Sequence, residues 1–133
     1  MRKGFLAVFL LLIILTSSCK RNKLCTMEYR MVYVTVSDSA GKAVVLDSNY
    51  TEIVNSKKKI IEPADSLEKT KGIYLLITDS QKDIIAENVE TDVNFIGKKG
   101  SAVVVVEHYV ITQDGCHIRL VSGNTNIVIH HSQ

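Results

Sequence analysis

The chain has 133 residues, with 16 basic and 14 acidic side chains, three cysteines and no tryptophan. This length is typical of one domain. The near balance of charge argues against a nucleic-acid-binding protein, which needs a clustered basic surface. The one basic run, Lys57–Lys59, is typical of a solvated turn or strand edge.

Residues 1–18 have the pattern of an export signal. Arg2 and Lys3 precede an unbroken apolar run over residues 5–15, and three small residues follow it before Cys19. A basic start, an apolar run and small residues before a cleavage site define a signal peptide. The run is too short to span a bilayer, which takes roughly 20 apolar residues. We therefore expect residues 1–18 to direct export and to be removed.

The segment from Leu15 to Cys19, Leu-Thr-Ser-Ser-Cys, resembles the lipobox of bacterial lipoproteins, and of Bacteroidota lipoproteins in particular. Thr16 stands where that box usually has leucine. The resemblance implies cleavage before Cys19, lipid (palmitate-type acyl chains) on its sulfur, and residues 19–25 as a lipidated tether. Two or three acyl chains anchor a protein durably, whereas one binds only marginally. Lys20, rather than aspartate, follows the cysteine, and in the enterobacterial sorting rule this favours the outer membrane.

Removal of the signal also changes the apparent charge. Arg2 and Lys3 leave with it, and three more basic residues lie in the tether. The body from residue 24 onward then has 11 basic against 14 acidic side chains. We therefore expect no nucleic-acid partner, and a membrane partner only through lipid on Cys19.

The remaining cysteines, Cys25 and Cys116, form an even pair in an exported chain, which favours a disulfide. The bridge would close a loop of about 90 residues, for which the chain-entropy model gives over 4 kcal/mol. Two separate buried thiols are the alternative.

Residues 26–133 alternate β-branched stretches with turn residues. This pattern predicts strands over 29–36, 43–46, 50–54, 73–78, 89–96, 102–112, 116–121 and 125–130. The segment Gly97–Gly100 is typical of a hairpin connection, and Asp114-Gly115 indicates a second hairpin. The four consecutive valines before Glu107 predict that the first half of their strand is central and covered on both faces. Residues 57–71, which contain the only proline, predict a long loop or one helical turn.

Short strands with frequent turns indicate an all-β fold, a single antiparallel β-sandwich over residues 26–133. Its first segment, residues 32–44 (Val-Tyr-Val-Thr-Val-Ser-Asp-Ser-Ala-Gly-Lys-Ala-Val), resembles the start of transthyretin-like and carboxypeptidase-regulatory-like domains. The resemblance implies an immunoglobulin-like or transthyretin-like sandwich that is non-catalytic.

The residues that could carry chemistry gather late in the chain: Asp114, Cys116 and His117, with His108 before them and His130-His131 at the end. Neighbouring residues of a strand point to opposite faces, so Cys116 and His117 would not bind one metal ion. A serine triad lacks the G-x-S-x-G motif, and a paired cysteine is no nucleophile. We therefore predict no catalytic residue, no metal ligand and no cofactor.

Two features of the sequence concern carbohydrate. A sugar-binding surface would have to use tyrosines, of which Tyr29 and Tyr33 share one strand face. Separately, Asp38-Ser39-Ala40 and Asp65-Ser66-Leu67 resemble the short acceptor sequence for O-glycans in exported Bacteroidota proteins, which implies glycans on Ser39 and Ser66.

Three hypotheses about function remain. The first is a lipid-anchored, non-catalytic interaction module of the cell envelope, which binds an envelope protein or another ligand. The second is an accessory glycan-binding lipoprotein, which requires exposed tyrosines beside a groove. The third is a small hydrolase or metal-dependent enzyme, which requires Asp114, His108 and His117 to converge in a pocket.

Overall fold

The computed structural model describes residues 23–62 and 66–130. Within these ranges the chain forms eight strands, one short α-helix and one 3₁₀ helix. The strands are β1 (Met31–Asp38), β2 (Ser48–Ile53), β3 (Lys59–Ile60), β4 (Ile73–Thr78), β5 (Thr91–Lys99), β6 (Ala102–Gln113), β7 (Ile118–Ser122) and β8 (Asn126–Ile129). Helix α1 is Ser66–Thr70, and the 3₁₀ helix is Asp79–Ile84.

The strands form two sheets with a shared core, which confirms the predicted all-β sandwich. The smaller sheet has the order β4-β1-β8, and the larger has the order β3-β2-β5-β6-β7. All neighbouring strands run antiparallel except β1 and β8, which run parallel. This pair is the one exception, among the described strands, to the predicted antiparallel arrangement. No hairpin joins β8 to β1, so the connection imposes no antiparallel direction.

The core lies between the sheets and follows from alternation along each strand. In β1, Val34 and Val36 are buried while Thr35 is exposed, as expected for a strand with one solvated face. The largest apolar side chains that are fully buried come from both sheets: Leu46, Tyr74, Leu76, Ile77, Phe95, Tyr109, Ile111 and Ile118.

An irregularity in β4 interrupts this alternation at the end of the strand. The register between β1 and β4 shifts after Val32, so that Leu76 has no direct partner in β1. Its carbonyl instead accepts a hydrogen bond from the Thr51 hydroxyl of the other sheet at 2.6 Å. Such a bulge changes which side of the strand the following residues face. As a result Leu76, Ile77, Thr78 and Asp79 are all buried, and a carboxylate enters the interior.

Two strand predictions were wrong. Residues 43–46 form only an isolated bridge at Ala43, because the Tyr74 hydroxyl bonds the Val44 carbonyl and the Leu46 N–H, which a neighbouring strand would otherwise occupy. The valine-rich half of β6 is not covered on both faces, since Val103 and Val106 are 51% and 63% exposed. Strand β7 is short and pairs β6 only from Val110 onward, so the first half of β6 is a sheet edge.

Two turn predictions need smaller corrections. Strand β5 continues through Gly97 to Lys99, with a register shift between Gly97 and Lys98, so the β5–β6 turn begins at Gly100. Residues 57–71 include the short strand β3 as well as the single helical turn α1. The other strands lie where the pattern predicts them, to within a few residues.

Candidate functional site

A disulfide joins the segment before β1 to the turn before β7. Cys25 and Cys116 are bonded, with their Cα atoms 5.3 Å apart and 91 positions apart in sequence. This confirms the predicted pair. Cys116 is buried, whereas Cys25 is exposed. The bridge fixes the entry of the chain at one end of the sandwich and places Thr26 against the residue that follows Cys116.

That residue, His117, is the centre of a buried polar chain. Its Nδ1 lies 2.8 Å from Oδ2 of Asp79, and its Nε2 lies 2.8 Å from Oγ1 of Thr26. A carboxylate can only accept hydrogen bonds, so Nδ1 carries the hydrogen toward Asp79, and in the neutral ring Nε2 accepts from the threonine hydroxyl. Both Asp79 and His117 are less than 10% exposed. The order hydroxyl, imidazole, carboxylate is that of a nucleophilic triad.

Asp79 is held in its ionised form by three donors. Burial alone raises the pKa of a carboxyl, but here the backbone N–H of Arg30, the His117 side chain and the backbone N–H of Ile118 outweigh it and lower the pKa of Asp79. The Arg30 and Ile118 amides donate at 2.9 and 2.8 Å. Hydrogen bonds to the charged form of a carboxylate favour that form. Asp79 thereby joins the start of β1 to the start of β7.

The residues that the third hypothesis requires to converge are separated. Asp114 caps its own turn, because its Oδ1 accepts the backbone N–H groups of Cys116 and His117, which lowers the pKa of Asp114. His108 pairs with Asp92 on the adjacent strand at 3.0 Å, at the surface. His117 faces neither of them. These three residues therefore do not form one site. Cys116 and His117 lie in the turn before β7, which begins at Ile118, so the alternation of a strand does not determine the directions of their side chains.

A cleft opens on the same end of the sandwich, with Arg30 and Arg119 on its wall. Arg30 immediately precedes β1, and Arg119 projects outward from β7. Both line one cavity of about 460 Å³ whose other walls are polar: Asn88, Glu90, Thr112, Gln113 and Asp114. We call this cavity the polar lobe. From residue 24 onward the chain has only two arginines, and both lie here.

The same two arginines line a second, more apolar cavity of about 410 Å³. We call it the tyrosine lobe, and it lies between the start of β1 and β7. Its other walls include Tyr29, Met31, Tyr33 and Leu120. Because Arg30 and Arg119 line both cavities, the two lobes adjoin at these residues, and we call them together the arginine cleft.

Tyr29 has a fixed position in this cleft. Its hydroxyl donates to Oγ1 of Thr78 at 2.8 Å and lies 2.5 Å from Oγ of Ser80. These side-chain hydrogen bonds lower the pKa of Tyr29. Although the phenol oxygen is tied down, the residue remains 53% exposed. Tyr29 therefore offers a pre-positioned aromatic surface to a ligand.

A further cavity of about 300 Å³ adjoins the buried polar chain. Thr26, Tyr29, Ser80, Lys82 and His117 are among its walls, together with the disulfide. Within the part of the chain that the structure describes, the Lys82 side chain has no ion-pair partner. A cation and a hydroxyl bonded to an imidazole thus share one opening.

The other predicted residues are placed as follows. Cys19 and residues 1–18 lie outside the described residues, as do His131 and the side chain of Ser66. Ser39 is exposed in the turn after β1. Lys59 lies over the ring of Tyr50 at 4.7 Å. Among residues 23–62 and 66–130, no group of three or more His, Cys, Asp or Glu could hold a metal ion.

Sequence reasoning missed Thr26, Asp79 and the arginine cleft. Asp79 is 38 positions from His117, and Thr26 is 91, so no local spacing connects them. One signal was available for the cleft, namely that the body uses nine lysines but only two arginines.

No protein-family model matches the chain, and neither does any curated protein or any solved structure. In the described residues, no helix is long and apolar enough to span a membrane.

Proposed function

We propose that this protein is a lipid-anchored, non-catalytic binding module of the bacterial cell envelope, and that its ligand binds in the arginine cleft. The observation that carries the proposal is the meeting of Arg30 and Arg119 in one cleft with a polar lobe and a tyrosine lobe. Concave sites with an apolar part and a few converging polar groups are the usual form of ligand sites. The lipid anchor on Cys19 is supported by the export-signal and lipobox pattern alone.

Replacing Cys19 by alanine should move the protein from the membrane fraction to the soluble fraction. In the unaltered protein, intact mass should show a chain that begins at Cys19 and carries two or three acyl groups. A mature chain with an unmodified Cys19, or one that begins elsewhere, would contradict the anchor. Replacing Ser18 by alanine is the control, because it leaves a small residue before the cysteine.

Replacing both cleft arginines by glutamine (R30Q and R119Q together) should abolish capture of the envelope ligand. Solubilised full-length protein would be used to retain components of its own envelope, which are then compared by mass spectrometry and sugar analysis. The matched control replaces Lys58 and Lys99, which are exposed and have no side-chain partner in the described structure, by glutamine. A ligand retained equally by the arginine double variant would show that the cleft does not bind it.

A second candidate function, a small hydrolase, is supported by the chain Thr26–His117–Asp79. With distances of 2.8 Å on both sides of the imidazole, His117 could take the hydroxyl proton as Thr26 Oγ1 attacks an ester carbonyl. The imidazolium would return that proton to the departing alkoxide, and water would then release the acyl group from Thr26. Lys82, on the wall of the same cavity, would face the negative oxygen of the intermediate.

A fluorophosphonate probe separates this candidate from a purely structural role. If Thr26 is a nucleophile, intact mass and peptide mapping should place one phosphonate on Thr26. Replacement of Thr26 by serine should retain the labelling, and replacement by valine, which has the same shape without the hydroxyl, should abolish it. Absence of label on Thr26 in the folded wild-type protein would reject the hydrolase.

A further inference from the structure

We infer that the ligand of the arginine cleft is an acidic glycan, with the carboxylate of one uronic acid unit held between Arg30 and Arg119. This inference rests on the proposed function and specifies the chemistry of its ligand. It follows from the type of the two cations, from their weak or absent pairing with other side chains, and from the composition of the two lobes.

The choice of arginine at this place is selective. From residue 24 onward the chain has nine lysines and two arginines. The lysines are spread over turns, strands and both helices, whereas both arginines line the cleft. The guanidinium group presents parallel N–H donors that match a carboxylate, while the lysine ammonium is a flexible point charge. The cleft is therefore suited to a planar anion rather than to diffuse negative charge.

These cations are also paired weakly or not at all within the fold. The Arg119 side chain has no ion pair or hydrogen bond to any of the described residues. Arg30 contacts Glu28 at 3.4 Å, and the two side chains are 44% and 61% exposed. An exposed pair of this kind contributes little, so the Arg30 guanidinium remains able to bind an external carboxylate. One unpaired guanidinium group and one weakly paired group on the same cleft wall favour an anion that comes from outside.

The polar lobe distinguishes a sugar from a polyanion. Glu90 and Asp114 stand beside the arginines, and their negative charge disfavours a strand of closely spaced anions, such as nucleic acid or an acidic peptide. Carboxylate oxygens accept hydrogen bonds well from hydroxyl groups. Asn88 and Thr112 add both donors and acceptors. The lobe thus suits one carboxylate surrounded by hydroxyls, which is the chemistry of a uronic acid unit and its neighbours.

The tyrosine lobe supplies the complementary surface. A pyranose ring has an apolar C–H face, and aromatic side chains with an apolar body and a polar tip are suited to sites of mixed polarity. Tyr29 and Tyr33 line this lobe beside the arginines, and Tyr29 is locked in place through its hydroxyl. A sugar next to the uronic acid unit would pack on these rings while its hydroxyls face solvent.

Calorimetric titration of the full-length protein in a mild detergent tests the inference. The probes are tetrasaccharides of hyaluronan and of unsulfated chondroitin, in which each uronic acid unit alternates with an uncharged sugar, their methyl esters, a neutral cellulose tetrasaccharide, and a peptide with a free apolar C-terminus. At least one acidic tetrasaccharide should bind, and its methyl ester should bind at least tenfold more weakly. Replacement of Arg119 by glutamine should cause a similar loss with an unchanged melting temperature, and the Lys58 and Lys99 double variant should bind as the wild type does.

The other outcomes distinguish this inference from the proposed function. Equal affinity for an acid and its ester would overturn the role of the carboxylate. Binding of the peptide alone, or of none of the probes, would overturn the glycan. In all of these cases the capture experiment with the Arg30 and Arg119 double variant still tests the cleft itself. If the double variant no longer retains the envelope ligand, the cleft is a binding site for another class of ligand. If the double variant retains that ligand, both proposals are rejected.

Discussion

Removal of the Cys25–Cys116 disulfide should lower the free energy of unfolding by about 4 kcal/mol, because the bridge closes 91 positions of chain and limits the unfolded ensemble. The variant replaces Cys25 by serine, since that residue is exposed, and Cys116 by alanine, since that residue is buried. The expected loss of unfolding free energy is a large part of the 5–15 kcal/mol that stabilises a typical domain. Urea denaturation at neutral pH measures the loss.

Two observations control this experiment. Denaturation of the wild-type protein under reducing conditions should reproduce the loss, whereas the double variant should be insensitive to reductant. Equal stability of the wild type and the double variant would contradict a constraint on the unfolded chain. It would show instead that Thr26, His117 and Asp79 alone suffice to hold the entry segment.

Replacement of Asp79 by asparagine should destabilise the fold by about 3 kcal/mol at pH 7. The carboxylate accepts hydrogen bonds from Arg30, His117 and Ile118, and the asparagine amide nitrogen would turn a second donor toward one of them. Leaving a buried donor without its acceptor typically costs about 1–3 kcal/mol, and more when a charged group is involved. Asp83, which is exposed in the same 3₁₀ helix and has no side-chain partner in the described structure, is the control for the same substitution.

The effect of Asp79 should depend on pH with a defined sign. Its pKa in the fold is lowered below the ordinary value, so its contribution is fully present above the unfolded pKa of about 4 and is lost as the pH falls through the folded value. The difference in unfolding free energy between wild type and the asparagine variant should therefore shrink below pH 4. A difference that is constant from pH 7 to pH 3 would contradict this account. The stability of the Asp79 variant should still fall somewhat in acid, because the pKa of Asp114 is also lowered in the fold.

Much of the fold could be predicted from the sequence, because strand and turn signals are local. Alternation along β1 and the β-branched run of β4 depend on neighbouring residues, and the pairing of Cys25 with Cys116 follows from an even count of cysteines after Cys19 in a chain with a predicted export signal. The errors arose where distant parts of the chain decide. The Tyr74 hydroxyl prevents residues 43–46 from pairing as a strand, and the shortness of β7 exposes the valines of β6.

The candidate site was less predictable for the same reason. Strand alternation predicts His117 on the face opposite Cys116, whereas in the structure His117 is buried and the bulge at Leu76 turns Asp79 inward to meet it. The arginine cleft requires the start of β1 and the middle of β7 to approach each other, although Arg30 and Arg119 are far apart in sequence. In the sequence, only the scarcity of arginine from residue 24 onward indicates that Arg30 and Arg119 act together.

The position of the disulfide determines how the domain would bear a pull from the proposed lipid anchor. Cys25 lies six positions after Cys19, which allows a span of at most about 20 Å. With lipid on Cys19, the end of the sandwich that holds the cleft would stay close to the bilayer. Tension between the anchor and a captured ligand would enter the large sheet directly through the sulfur of Cys116. The hydrogen bonds of β1 would carry less of that load, so the domain should withstand mechanical force that would otherwise peel its first strand away.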